Sequence, residues 1–398
     1  MTKKRILVVG TGFQGICDAA QLLKVPDFDV QMVDMAPYFG GVLRSIALND
    51  FYVDRGLHLF SGVDEKMHAF LDEVLAGKLH PIGSPPASGF SGTITENFDL
   101  PDLSKLPEEI CKKISSEVIA LGSIPIEQAK NLSQHLHNRY GPTAGSIFEE
   151  IFKKTHGFEA KNVAAQEISK TALGRLKFGT DAEMLRLKGS PRLNDILAAR
   201  RPIETAAKVI SSYYPSGGKG MLEFALAAEN WLKSYGVKIG LNAKIEKFSR
   251  ANKKWVVNIA GLAQEFDLIV WSNGTAPELG KLLGIHFQNN DPFLPVSAIF
   301  AIFGVNAEDV KLDPYVQLYD PKDVISRVGA GGIFSKQTKK NGSTFITCEC
   351  PTSKSSNLWK TADNQEKNIW SCLRKYDLVT LGATPTWVKI MRVSQTLR

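Results

Sequence analysis

The chain contains no apolar run of 18 residues, so no membrane-spanning helix is expected. Its five cysteines, Cys17, Cys111, Cys348, Cys350 and Cys372, are odd in number and scattered, which argues against a disulfide framework in a chain of this length. Cys348 and Cys350 stand two apart in an apparent strand and face the same side, yet two thiols without a second ligand pair do not make a zinc site. His135 and His137 stand two apart on an expected helix and point in different directions, so that pair does not chelate either, and no metal is expected. The net charge of +7 comes from dispersed lysines in small groups such as Lys112-Lys113 and Lys253-Lys254. There is no basic stripe with interleaved aromatics, so nucleic-acid binding is not expected. The positive field still suits an anionic substrate or contact with an acidic membrane surface. Internal repeats, long low-complexity segments, a catalytic triad and a defensible carboxylate pair are all missing. The N-terminus moves directly into a strand, leaving no room for a signal peptide, so the expected location is the cytoplasm.

What is present concentrates at the start. Ile6 to Val9 is a β-branched-rich apolar run, as in a central parallel strand. Gly10, Gly12 and Gly15 follow, then a helix from Phe13 to Leu23, a second short strand from Val30 to Val33, and Asp34 at its end. This strand, turn, helix, strand order is the context a dinucleotide fingerprint requires. Gly10 permits the turn, Gly12 lets backbone approach a diphosphate, and Gly15 lets helix pack on strand. The N–H groups of the helix start, with Phe13 and Gln14 beside them, face the phosphates. Asp34, 24 residues after Gly10, is placed to accept from both hydroxyls of an adenosine ribose, with Met35 next to it. It repels a 2′-phosphate, so FAD or NAD is expected rather than NADP. The alternative is a tight strand–helix turn with no ligand.

After Asp34 come Gly40-Gly41-Val-Leu-Arg44 and then Gly56-Leu-His58-Leu-Phe60. A second block runs Tyr213-Tyr-Pro-Ser-Gly-Gly-Lys-Gly-Met-Leu, and a third runs Phe266-Asp-Leu-Ile-Val-Trp-Ser-Asn-Gly. In these segments the sequence resembles the flavoprotein superfamily of amine oxidases, protoporphyrinogen oxidases and UDP-galactopyranose mutases. The match is strong over residues 4–62, fair over 213–280 and weak between them. Tyr319-Asp-Pro, Arg327, Cys348-Glu349 and Trp359 loosely resemble the sugar-nucleotide branch. The resemblance implies FAD as the cofactor. It implies cofactor contacts at Gly40, Gly41, Arg44, Gly56 and His58, a main-chain adenine contact near Ile245, and a returning loop at Ser272, Asn273 and Gly274. Two adjacent glycines do allow a loop to pass close to a ligand, and an arginine can neutralise a diphosphate by paired hydrogen bonds. The bland alternatives are an ordinary turn, a solvated arginine and a packed histidine. Members of the superfamily close with a strand, a glycine pair and a helix aimed at the flavin. This chain stops at Val393-Ser-Gln-Thr-Leu-Arg398 in an apparent strand, so a C-terminally truncated chain is expected, the alternative being a closing segment diverged beyond recognition.

At 398 residues, with 43% apolar and 22% charged residues, the chain suits two soluble domains. The expected fold class is α/β: a Rossmann-like FAD-binding domain with an inserted helical segment and an antiparallel-sheet substrate domain. The expected boundaries are 1–80 with 200–285 for the dinucleotide domain, 81–199 for the helical insertion and 286–398 for the strand-rich part. A helix over 61–80 presents Met67, Phe70, Leu71, Val74 and Leu75, and Pro81 to Gly92 reads as a loop. The leading expectation is an FAD-dependent oxidoreductase acting on a small molecule, with His58 near the flavin ring and Arg327 binding an anionic substrate. The alternatives are a flavin-dependent sugar-nucleotide mutase or related polysaccharide-pathway enzyme, and a degenerate or truncated non-catalytic FAD-binding protein. Substrate, electron acceptor and oligomeric state are not legible.

Overall fold

The computed structural model describes residues 3–82, 86–200, 212–272, 276–285, 296–312 and 315–396. The chain divides into two units, Met1–His80 with Tyr213–Leu294, and Pro81–Ser212 with Pro295–Arg398. The helical and strand-rich stretches, expected as separate segments, fall together in the second unit.

In the first unit, β1 (Lys4–Val9) lies between β2 (Phe28–Val33) and the strand Leu268–Trp271, and Lys238–Gly240 extends the sheet beyond β2. All three pairings are parallel. Ile6, Leu7, Val8 and Val9 are each buried, as a strand covered on both faces demands. Helix α1 (Phe13–Leu22) joins β1 to β2. A three-stranded antiparallel meander, Ile245–Ala251, Lys254–Ile259 and Leu262–Phe266, contributes Phe248, Val257, Ile259 and Phe266 to a core shared with Leu7, Val9 and Val33. The helix expected over 61–80 forms as Glu65–Leu75, with Asp64 accepting from the Met67 N–H as its cap. Leu71, Val74 and Leu75 are its buried face.

The second unit is built on a seven-stranded sheet ordered Trp387–Thr396, Val296–Asn306, Ser343–Thr352, Arg327–Ala330, Tyr315–Leu318, Ala87–Phe90 and Thr93–Thr95. Only the pairing of Tyr315–Leu318 with Ala87–Phe90 is parallel. One face packs Ile299, Phe303, Ile346, Cys348 and Cys350 into a core with Trp370 and Leu373. Burial holds the Cys348 thiol far above its ordinary range. A second core of Leu136, Tyr140, Phe148, Phe152, Leu176 and Met184 lies among the helices. The loop expected over Pro81 to Gly92 instead supplies the strand Ala87–Phe90. His135 is buried on the long helix Leu132–His156, while His137 pairs with Glu149 at 3.2 Å. Among the described residues no helix is long and apolar enough to cross a membrane.

Candidate dinucleotide site

The first glycine turn is shaped by close approach. A Cβ on Gly15 would meet the Gly10 carbonyl oxygen at 2.1 Å, so only glycine lets α1 start this near β1. The Gly10 N–H is held by the Val33 carbonyl at 2.8 Å, which ties the turn to the end of β2. Gly12 precedes α1 with no side-chain cap, and the first turn carries no acid. A Cβ built on Gly12 meets nothing within 4 Å. The start of α1 thus has no side-chain cap and open space beside Gly12, an arrangement suited to an anion.

Asp34 stands at the end of β2, and its carboxylate is already engaged. Oδ2 accepts from the Thr11 N–H and from the Thr11 hydroxyl, both at 2.8 Å, and Oδ1 accepts from the Ala36 N–H at 2.9 Å. Thr11 is fully buried, and its carbonyl accepts the Gly40 N–H at 3.0 Å. The two glycine segments thus meet at one threonine. Gly41, at φ +56°, comes so close that its Cβ would lie 3.2 Å from the Gly12 Cα. Gly40, at φ +103°, leaves room for Ala225, whose Cβ would be 2.5 Å from a side chain there.

Arg44 stacks its guanidinium 4.8 Å from the centre of the Tyr38 ring. No carboxylate among the described residues forms an ion pair with it. Ser45, next in sequence, begins a buried node. Its hydroxyl lies 2.5 Å from Asp54 Oδ1 and 3.0 Å from the Lys219 carbonyl, and it accepts the Leu222 N–H. The Tyr214 hydroxyl donates to Asp54 Oδ2 at 2.6 Å, and the Met221 N–H donates to Oδ1. Asp54 thereby takes the first N–H of the helix Met221–Ser234, and Ser45 takes the second. Burial raises its carboxyl pKa, with bonds from Ser45, Tyr214 and Met221 and the charge of His58 opposing. A Cβ on Gly220 would sit 2.5 Å from Asp54 Oδ1, which explains that glycine.

Past Gly56 the chain brings His58 to a pocket of about 470 Å³. Phe13, Val42, Leu43, Phe60 and Met221 line it with His58. The rings of Phe13, Phe60 and Phe224 pack at 5.1–5.8 Å between centres. His58 Nδ1 is enclosed and has no hydrogen-bond partner among the described residues. Met35 is 61% exposed and Val42 67%, so two apolar side chains lie open beside the glycine segments.

The other expected cofactor residues are less engaged. Gln14 is exposed and donates to Asp18 at 2.8 Å. Ser272 gives its hydroxyl to Asp18 Oδ2 at 2.5 Å, and Ile245 packs in the core beneath the meander. Asn273 and Gly274 lie outside the described residues. Arg327 belongs to the second unit, where Glu349 takes its Nε and Nη2. Sequence reasoning missed Thr11, Ser45, Asp54 and Tyr214. The one available signal was position: Thr11 sits inside the glycine fingerprint, and Ser45 directly follows Arg44.

Residues 8–74 match the NAD(P)-binding Rossmann-like domain family. No curated protein sequence is significantly similar to the chain. Among solved structures, that of reduced UDP-galactopyranose mutase is similar with a TM-score of 0.76 at 14% identity, over 100% of this chain and 83% of that one. A protein described as a protoporphyrinogen oxidase from Exiguobacterium sp. 255-15 gives 0.68 at 14% identity, over 100% and 88%. Putrescine oxidase bound to putrescine gives 0.60 at 14% identity, over 98% and 84%. In fold, then, the chain is similar to these three solved structures, and its residues 8–74 match the Rossmann-like domain.

Proposed function

We propose that the chain is an FAD-dependent oxidoreductase whose first unit holds the cofactor. The carrying observation is the uncapped start of α1 facing open space at Gly12, with the Asp34 carboxylate at the end of the neighbouring strand. The residues fit the group. The α1 N–H groups and Arg44 supply positive charge for a diphosphate, and Asp34 supplies an acceptor for the ribose. The exposed Met35 and Val42 and the apolar pocket lined by His58 offer packing for the remainder. Bound flavin would supply hydride transfer. The protein's part is to bind, orient and exclude water: Phe13, Leu43 and Phe60 give an apolar wall to the pocket that His58 also lines.

A visible absorption spectrum of the purified chain before and after adding FAD tests this. A flavin band shifted by the protein is expected. A folded protein that leaves the spectrum of added FAD unchanged overturns the reading and favours a non-catalytic copy.

A second reading, a flavin-dependent sugar-nucleotide mutase, is favoured by the TM-score of 0.76 to UDP-galactopyranose mutase against 0.60 to putrescine oxidase. Isomerisation of a UDP-sugar by the reduced protein supports it. Oxygen consumption with an amine or porphyrinogen supports the oxidase. On this reading the substrate is a small anionic molecule and the protein acts in the cytoplasm.

A further inference from the structure

A carboxylate offers about four acceptor positions, and three of those on Asp34 are filled by its own chain. Two are taken at Oδ2 by the N–H and hydroxyl of Thr11, and one at Oδ1 by the Ala36 N–H. Thr11 is itself held in place: it is buried at 0% exposure, and its carbonyl accepts the Gly40 N–H at 3.0 Å. The carboxylate is thus gripped on one oxygen by a residue pinned between both glycine segments, and it keeps a single acceptor direction, on Oδ1.

We propose that Thr11 is a specificity-determining residue. By locking Asp34 it makes the site take one ribose hydroxyl, not two, and denies the carboxylate the rotation needed to turn away from a 2′-phosphate. This rests on the dinucleotide reading above and deepens it. The usual expectation for an acid at this place is a pair of hydroxyl contacts. Here the second acceptor pair is spent inside the protein, and a β-branched hydroxyl, stiff about its first torsion, spends it. Removing the hydroxyl while keeping the shape restores a lone pair at Oδ2 and loosens the carboxylate.

Calorimetric titration with ADP, 2′-deoxy-ADP, 3′-deoxy-ADP and 2′-phospho-ADP-ribose against ADP-ribose tests it on the wild type, Thr11→Val and Thr11→Ser. In the wild type, loss of one ribose hydroxyl is expected to weaken binding about tenfold and loss of the other to change nothing, as for one hydrogen bond to a charged acceptor. In Thr11→Val both hydroxyls should matter, and the preference for ADP-ribose over its 2′-phosphate should fall about tenfold. Thr11→Ser should restore both wild-type values. Equal losses from both deoxy probes in the wild type overturn the inference, and that comparison stands even if Thr11→Val fails to fold. A Thr11→Val protein that melts like the wild type and keeps its selectivity also overturns it. A folded wild type that binds neither ADP nor ADP-ribose removes the dinucleotide reading itself, a result distinct from either.

Discussion

Arg327 directs Nε and Nη2 at one oxygen of Glu349, at 2.9 and 2.7 Å, across the strand pair on which the two residues are register partners. The Glu349 side chain is 9% exposed against 31% for Arg327, so the carboxylate depends on the guanidinium more than the reverse. The same row crosses the sheet through Gln317, Ser88 and Thr95. An arginine already paired carries little net charge for a substrate anion. Arg327→Ala is therefore expected to lower stability by about 1–3 kcal/mol, because it leaves an enclosed carboxylate without its cation. Urea unfolding measures it. An unchanged midpoint with weakened substrate binding would return Arg327 to the role of anion receptor.

Asp54 makes stability depend on pH in an unusual sense. Burial raises its folded pKa above the unfolded value near 3.9. The folded chain then keeps a proton that the unfolded chain releases, so this contribution is full below about pH 4 and shrinks as pH rises toward the folded pKa. Asp54→Asn cannot titrate. The unfolding free energy of wild type minus Asp54→Asn should fall as pH is raised above about 4. The titratable neighbours are Tyr214 and His58, so the comparison also belongs in Tyr214→Phe. Parallel curves for wild type and Asp54→Asn would show that folding does not raise the carboxyl pKa.

The parts of this site that were legible in the sequence are those whose demands are local. Gly15 has to be glycine because a turn of the chain five residues earlier lies against it, and Asp34 marks the end of a strand. Thr11 had no such signal, since its bonds go to a residue 23 positions away. Asp54 and Tyr214 are 160 positions apart, and no periodicity announces their pairing. The strand Ala87–Phe90 was hidden for another reason. All four residues are buried, so the alternation of a half-exposed strand is missing, and the prolines and glycines around it read as loop.

Asp102 and Lys177 form an ion pair at 2.9 Å, with side chains 1% and 5% exposed. Burial alone would raise the Asp102 pKa. The hydrogen bond from Ser104 and the Lys177 charge outweigh it, and the carboxyl titrates below its ordinary range. Its contribution is present above the unfolded pKa and lost as pH falls through the folded one. The second unit should therefore be the acid-labile one, provided the two units unfold separately. Lys177→Met strands the carboxylate and should cost about 3–5 kcal/mol. Thermal melts from pH 7 down to 3 follow both effects, and a Lys177→Met protein as stable as the wild type would contradict them.

Arg44 carries the most direct test of the cofactor site. Its guanidinium lies over Tyr38 with no ion-pair partner among the described residues, so replacing it removes one ring contact and no ion pair. A guanidinium meeting a diphosphate forms two parallel bonds, and a lysine ammonium reproduces the charge but not the fork. Arg44→Ala should weaken FAD binding by about 1–3 kcal/mol, the range for hydrogen bonds to a charged group. Arg44→Lys should recover part of that loss. Added salt should weaken the wild type more than Arg44→Ala, since a half-buried charge within reach of solvent is still screened by salt. Fluorescence titration of FAD at two salt concentrations separates these outcomes. Equal affinity in wild type and Arg44→Ala, with equal salt dependence, would mean that the phosphates are held by the start of α1 alone.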